Sequence, residues 1–193
     1  KSSVFAFPHL MLGVLCIFVY VGVEVIAIDT IGLYGQFQGF DLKTAGNFSI
    51  YSLTALTIGY LLGVVLIPKY ISQRTALVIC ASMGFVFGLA ALATSGAVSI
   101  AFVVLLSFAH ALMWPSIWPL ALDGLGRFTK LGSALLVMGI VGGALLPLLY
   151  GKIADETSRQ VAYWVTIPCY LYILFYATKG YKVGKREKVA VAS

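Results

Sequence analysis

The chain has 193 residues, of which 61% are hydrophobic and only 10% are charged, and its formal net charge is +6. Soluble domains carry about 45–50% apolar and about 25% charged residues, so this chain has too little polar surface to be a water-soluble globule, and the same numbers exclude a disordered protein. Seven carboxylates and two histidines in the whole chain also argue against an enzyme. The composition indicates a membrane protein.

Six apolar stretches follow one another along the chain, separated by short connections rich in Gly, Pro or charge. Each is about 20 residues long, the length that a helix needs to cross a bilayer. Strands of a membrane barrel would instead alternate in polarity over about 10 residues. The sequence therefore predicts an all-α membrane protein forming a single domain over residues 1–193, with transmembrane helices at about 7–33, 45–67, 75–94, 98–122, 131–151 and 160–179 and a basic cytoplasmic tail over 180–193.

Lys and Arg are distributed unequally between the two sides of these six spans. Ten lie on the side that holds both termini and three on the other side. Because short cytoplasmic loops carry the excess of Lys and Arg, both termini are predicted to be cytoplasmic. The basic tail could also bind nucleic acid or anionic lipid; we interpret it as part of the same asymmetry and predict no nucleic-acid partner.

Polar residues are also distributed unevenly among the spans. The first, second and fourth spans hold polar candidates and the fifth is rich in glycine, whereas the third and sixth hold no ionisable residue before Lys179. Helices one and four are therefore predicted to line a cavity, two and five to support them, and three and six to form an outer layer. This pattern recurs after three helices, as expected of a three-plus-three inverted repeat.

The first span carries two carboxylates, Glu24 and Asp29. A charged group at mid-membrane costs about 2.5–3.5 kcal/mol on insertion scales and normally faces an interior cavity. Glu24 lies in the apolar segment FVYVGVEVIAI with no nearby cation. We interpret it as a proton carrier or a ligand for a polar substrate, with a neutral Glu bonded to a neighbouring helix as the alternative. Asp29 is rotated by about 140° from Glu24 on the helix and is either a gating residue near the outer mouth or an interfacial one.

Two further groups of residues are candidates for a binding site. In the second span, Asn47, Tyr51 and Thr54 share one helical face. In the fourth span, His110 and Trp114 lie on one stripe, ahead of prolines that bend a helix, and each is either a binding residue or a packing residue. The chain shows no phosphate loop, metal-ligand cluster or Ser/His/Asp set. No cofactor, metal or catalytic residue is therefore predicted.

Several longer segments resemble a known family, and two of them are fairly specific. They are YVGVEV (20–25), AGNFSIY (45–51), GYLLGVVLIPKY (59–70), and the specific pair WPSIWPLALDGLGRFTKLGS (114–133) and LLVMGIVGGALLPLLYGKIAD (135–155). Over essentially its whole length the chain resembles the sugar–proton symporters of the major facilitator superfamily, in particular the bacterial fucose and glucose/galactose symporters. The alignment is with the C-terminal six helices of the complete transporter.

The resemblance implies a function and a site. It implies a substrate cavity between two six-helix halves, alternating access, and proton-coupled transport of a monosaccharide across the bacterial inner membrane. The residues that it places at the substrate are Tyr20, Glu24, Asn47, Tyr51, His110 and Trp114, with Glu24 and Asp29 as proton-coupling or gating candidates. His110, Asp29 and Trp114 depart from the family pattern, so the sugar is left unspecified.

The partners follow from the same resemblance. They are the sugar, protons, the lipid bilayer, and either an N-terminal six-helix half or a second copy of the chain. The chain begins with Lys1 rather than Met and is interpreted as a piece of something longer or as a processed chain. Two alternatives remain open: a transporter of the same fold for another polar solute, such as a nucleoside or organic acid, and a membrane module without transport activity.

Overall fold

Six long helices make up the computed structural model, which describes residues 3–185. Each is long and apolar enough to cross a membrane, so the predicted all-α architecture with six spans is confirmed. Part of the predicted basic tail, residues 186–193, lies outside the described residues. The helices are α1 (Pro8–Asp29), α2 (Leu42–Leu66), α3 (Gln73–Ala93), α4 (Gly96–Leu122), α5 (Gly126–Glu156) and α6 (Arg159–Thr178), and a short helix over Ile31–Phe37 follows α1.

Polar residues placed just ahead of the helices determine where three of them begin. Each of Asp41, Ser72 and Ser158 accepts a hydrogen bond from the backbone N–H three residues later, at 3.1 Å, which satisfies a donor that the first turn leaves unpaired. Hydrogen bonds from Thr44 also lower the pKa of the exposed Asp41 carboxyl. Its negative charge is therefore retained at the positive end of α2.

A proline determines the position of a break in α4. Pro115 has no N–H to bond to the carbonyl group four residues earlier, that of Ala111, and α4 is interrupted at Ala111 and Leu112. Side chains on the two sides of the break contact different helices: His110 contacts α6, whereas Trp114 contacts α1. In α6, a 3₁₀ turn at Tyr163–Val165 likewise contains Trp164, four residues before Pro168.

The helices pack in pairs that repeat after three elements. The most extensive contacts are those of α1 with α5, α3 with α4, α3 with α6, and α2 with α4, and α1 and α4 also contact each other at the centre. These pairs can be compared by replacing each helix with the one three places later, counting on from α6 to α1. The α1–α5 pair then becomes the α4–α2 pair, and the α3–α4 pair becomes the α6–α1 pair. The packing therefore has the symmetry expected of a three-plus-three repeat.

Helices α2 and α5 have the smallest buried share of the six. The sequence predicted that α3 and α6 would form the outer layer, but in the structure these two helices pack closely against each other and against α4 and α1. Helix α2 packs mainly against α4 and α5 mainly against α1, so each leaves large apolar side chains exposed on its other faces, among them Leu61, Val64, Met138 and Leu148. These faces are suited to contact lipid or a second membrane-spanning unit.

Glycines allow helix backbones to touch at two of the paired interfaces. A Cβ atom at Gly142 of α5 would overlap the carbonyl oxygen of Phe18 in α1. In α2, a Cβ atom at Gly59 would overlap Ala111 of α4, and Gly63 lies against the next residue of that helix. Small residues allow this close approach in membrane proteins, and these glycines are packing residues.

We expect Gly142→Ala to destabilise the bundle strongly, because the added methyl group meets main-chain atoms that cannot rotate away. Overpacking of this kind costs about 1–3 kcal/mol, occasionally more. The matched control is Gly151→Ala in the same helix, where nothing lies within 4 Å of the added Cβ atom. Thermal unfolding of the purified chain in detergent, followed by circular dichroism, measures both. Equal losses in the two variants would contradict the backbone contact as the cause.

Hydroxyl groups join several helices at the end of the bundle where α1 finishes and α4 begins. The Tyr34 hydroxyl lies 2.5 Å from the Ser99 hydroxyl, which donates to the carbonyl oxygen of Ala91 at 2.7 Å. Beside them, the Thr30 and Tyr163 hydroxyls are 2.9 Å apart, and the Tyr34 and Tyr163 rings lie 4.9 Å apart. This tyrosine network, formed by Thr30, Tyr34, Ser99 and Tyr163, connects α1 and its following short helix to α3, α4 and α6.

Candidate functional site

A carboxyl group and two phenols meet in the membrane-spanning part of the bundle. Tyr20 and Glu24 lie one turn apart on α1, and the Tyr20 hydroxyl donates a hydrogen bond to Oε2 of Glu24. Tyr60 of α2 lies close to both the Tyr20 hydroxyl and the Glu24 carboxyl group. Tyr20 is buried, whereas Glu24 is half-buried and Tyr60 is 38% exposed. We call these three residues the carboxyl cluster.

An aromatic wall stands beside the carboxyl cluster. The ring of Trp114, at the start of the second segment of α4, lies 6.2 Å from the Tyr20 ring and 5.2 Å from the Trp118 ring. Trp114 and Tyr60 both line a cavity of about 270 Å³ between α2 and α4. The remaining lining residues are small or apolar: Gly63, Val64, Ile67, Leu112 and Pro115.

The chemistry of this arrangement suits a small polar solute. The carboxyl cluster can donate and accept hydrogen bonds, and the Glu24 carboxyl group can also exchange a proton. The indole of Trp114 offers a flat apolar surface on the other side. A few polar groups facing an aromatic wall are typical of small-molecule sites, and this combination matches a ring with hydroxyl groups around its rim and an apolar face.

The structure does not bring His110 to this site. Its side chain is fully buried between α4 and α6, where Nε2 lies 2.6 Å from the Tyr170 hydroxyl and the two rings stack at 5.7 Å. Tyr170 in turn packs into a notch at Gly84 of α3. The expectation that His110 lines a cavity with Trp114 does not hold in this structure, because the α4 break separates the two side chains. His110 is a packing residue here.

Asn47 and Tyr51 also lie away from the carboxyl cluster. Asn47 is exposed at a break near the start of α2. Tyr51 lines a separate apolar groove of about 450 Å³ between α2 and α4. Nine residues separate Tyr51 from Tyr60, which at about 100° each puts them on opposite faces of the helix. The face of α2 that carries Asn47, Tyr51 and Thr54 is therefore opposite the one that carries Tyr60, and it cannot form a site together with Glu24.

Asp29 lies at the end of α1, where its side chain is exposed. It follows Glu24 by five residues and precedes the break at Thr30. It is therefore outside the carboxyl cluster, as its predicted rotation about the helix axis indicates.

Tyr60 is the site residue that the sequence did not reveal. It lies in the apolar segment TIGYLLGVV, and an isolated tyrosine in such a run is usually an ordinary packing residue. The available signal was its position next to Gly59, because Gly59 and Gly63 fix the face of α2 that meets α4. A residue adjacent to that face must lie at the edge of the helix pair.

Comparison with known proteins finds relatives that match nearly the whole chain. A putative glucose/galactose transporter of Helicobacter pylori is 33% identical over 188 residues, which cover 94% of this chain and 46% of that protein. A glucose/galactose transporter of Brucella abortus is 32% identical, with coverages of 94% and 45%, and an L-fucose-proton symporter of Haemophilus influenzae is 30% identical, with coverages of 90% and 42%. The chain thus spans less than half the length of the curated relatives it matches, in their C-terminal half. No protein-family model matches the chain.

Solved structures show the same fold. A major facilitator superfamily transporter, FucP, in its outward conformation superposes with a TM-score of 0.83 at 25% identity, over 88% of this chain and 41% of that one. A structure of the fucose:proton symporter of Escherichia coli gives the same TM-score and identity. Six helices with this likeness correspond to one half of such a transporter.

Proposed function

Because this chain belongs to the major facilitator superfamily and forms one six-helix half of its fold, we propose that it supplies one wall of a monosaccharide transporter that works by alternating access. Its relatives are named as glucose/galactose transporters and L-fucose-proton symporters. We propose that the transported solute is a sugar of this kind and that its movement is coupled to protons.

The carboxyl cluster facing Trp114 is the observation on which this proposal rests. The hydroxyl groups of a pyranose need donors and acceptors, which Tyr20, Glu24 and Tyr60 provide. The apolar C–H face of the sugar ring needs a flat wall, which Trp114 provides: its ring lies 6.2 Å from that of Tyr20, and it lines a cavity together with Tyr60. A carboxyl group among phenols in mid-membrane also supplies a group that can take up and release a proton.

We propose that the second wall comes from another six-helix unit that covers the exposed apolar faces of α2 and α5. An N-terminal half of the same transporter and a second copy of this chain both have the required size. Symmetric packing against such a unit would close the open side of the cavity that Tyr60 and Trp114 line.

Titration of the assembled transporter with a solute panel tests the function. We expect binding of hexoses or 6-deoxyhexoses, detected by calorimetry, and uptake of the same sugar into proteoliposomes. Preferential binding of nucleosides or organic acids would show instead that the protein is a transporter of the same fold for a different polar solute. Absence of both binding and uptake for every solute would favour a module without transport activity.

We also propose that the protein lies in the bacterial inner membrane with both ends of the chain in the cytoplasm. This rests on charge: the end of the bundle with the α2–α3 and α4–α5 connections and the segment after α6 has seven of the described Lys and Arg residues, counting those in the first turns of α3 and α5, against three at the opposite end. Those three are Lys43, Lys152 and Arg159.

Single cysteine probes should report this orientation. In a background without Cys16, Cys80 and Cys169, we expect Ser95→Cys to react with a membrane-impermeant maleimide in intact cells. Tyr70→Cys, which is equally accessible at the other end of the bundle, should react only after the cells are permeabilised. The reverse labelling pattern would show that the orientation is inverted.

A further inference from the structure

Three cationic side chains surround the ring of Tyr181, which follows α6. The Arg74 guanidinium carbon lies 5.8 Å from the ring centroid, and the Nζ atoms of Lys182 and Lys185 lie at 5.5 Å and 5.6 Å. The cations come from two parts of the chain, because Arg74 lies in the first turn of α3. We call Arg74, Tyr181, Lys182 and Lys185 the basic cluster.

The positive charge of the basic cluster is only partly balanced. Among the described residues, Lys185 pairs with Asp123 at 2.6 Å, which leaves the charges of Arg74 and Lys182 in excess there. The ring of Tyr181 offsets part of their repulsion, since cation–π contacts at exposed sites are worth about 0.5–1 kcal/mol. Arg74 is also held in place, because its Nε–H donates to the carbonyl oxygen of Ala177 at 3.4 Å. The fold therefore positions two cations together where an anion would stabilise them.

The basic cluster lies at the depth of lipid headgroups. Helix α3 begins at Gln73 and α6 ends at Thr178, so the cluster lies at the edge of the spanning region. Further into the membrane, Phe175 of α6 is 40% exposed, and Leu171, one turn further along the same helix, is 48% exposed. A headgroup site on the cations therefore continues into apolar surface that an acyl chain can cover.

We propose that the basic cluster binds the phosphodiester headgroup of an anionic phospholipid, with an acyl chain lying along the exposed apolar side chains of α6. Guanidinium groups bind phosphate oxygens through paired hydrogen bonds, and basic sites between transmembrane helices are suited to anionic headgroups. This site is separate from the carboxyl cluster and does not depend on the transported solute.

Lipid titration of the purified chain in neutral detergent tests this proposal, with native mass spectrometry to count bound lipids. We expect phosphatidylglycerol to bind more tightly than phosphatidylcholine of the same chain length. The double variant Arg74→Gln and Lys182→Gln should raise the phosphatidylglycerol dissociation constant about thirtyfold, the effect of two basic residues at a charged surface. The matched control, Lys43→Gln and Lys152→Gln, removes the same charge from the other end and should change it less than twofold.

Two further variants keep the test decisive. Arg74→Lys with Lys182→Arg preserves the charge and should retain binding. Lys182→Gln alone changes one exposed side chain and should raise the constant about fivefold, even if the double variant fails to fold. Equal affinity for the two lipids, or equal losses in test and control variants, would overturn the proposal. Displacement of the lipid by millimolar inorganic phosphate would also overturn it, because the site would then bind a free anion.

Discussion

Glu24→Gln should abolish sugar accumulation in the assembled transporter while leaving downhill sugar exchange intact. The glutamine carbonyl group can still accept the hydrogen bond from Tyr20, so the shape of the carboxyl cluster is kept, but the side chain can no longer carry a proton. With one proton per sugar, a gradient of one pH unit supports about tenfold accumulation, since a tenfold ratio corresponds to about 1.4 kcal/mol. We expect this ratio to fall to one in proteoliposomes that take up labelled sugar under an imposed pH gradient.

Asp29→Asn is the matched control, because it removes the other carboxylate of α1 from an exposed position outside the carboxyl cluster. We expect it to retain accumulation. If accumulation and exchange are both unchanged in Glu24→Gln, Glu24 has a structural role only. If both are lost, Glu24 is a sugar ligand and the proton is carried elsewhere.

Trp114→Ala should weaken sugar binding by about thirtyfold, because a fully engaged aromatic wall contributes about 2 kcal/mol to a binding site. Trp114 lines the cavity beside Tyr60 and contacts the Tyr20 ring. Its removal takes away the only indole surface among the described residues that line this cavity. Calorimetric titration of the assembled transporter with its sugar measures the change.

Trp118 provides the comparison for this prediction. It packs against Trp114 at 5.2 Å but does not line the cavity, so Trp118→Ala should change the affinity only a few-fold. Trp114→Tyr, which keeps an aromatic face, should recover part of the loss. A larger effect from Trp118 than from Trp114 would show that the binding surface has been assigned to the wrong ring.

The helices could be predicted from the sequence because continuous apolar runs have few other stable forms in a membrane. The pairing of Tyr20 with Glu24 is also local, since residues four apart on a helix face the same way. What could not be predicted is which neighbour each helical face meets. His110 and Trp114 share a stripe on a straight helix, but the break ahead of Pro115 divides them between α6 and α1. Tyr51 looks more suitable than Tyr60 in the sequence, because it shares a face with Asn47 and Thr54, and only the packing of α2 on α4 shows that Tyr60 faces the cavity.

The tyrosine network restricts how this half can move. Tyr34, Ser99 and Tyr163 are buried, so separating Tyr34 from Ser99, or Thr30 from Tyr163, would break hydrogen bonds that water does not reach, each worth about 0.5–1.5 kcal/mol. The ends of α1, α4 and α6 must then travel together. If this half pairs with a second six-helix unit, as we propose, access to the cavity from that side would come from rotation of one unit against the other and not from movement of single helices.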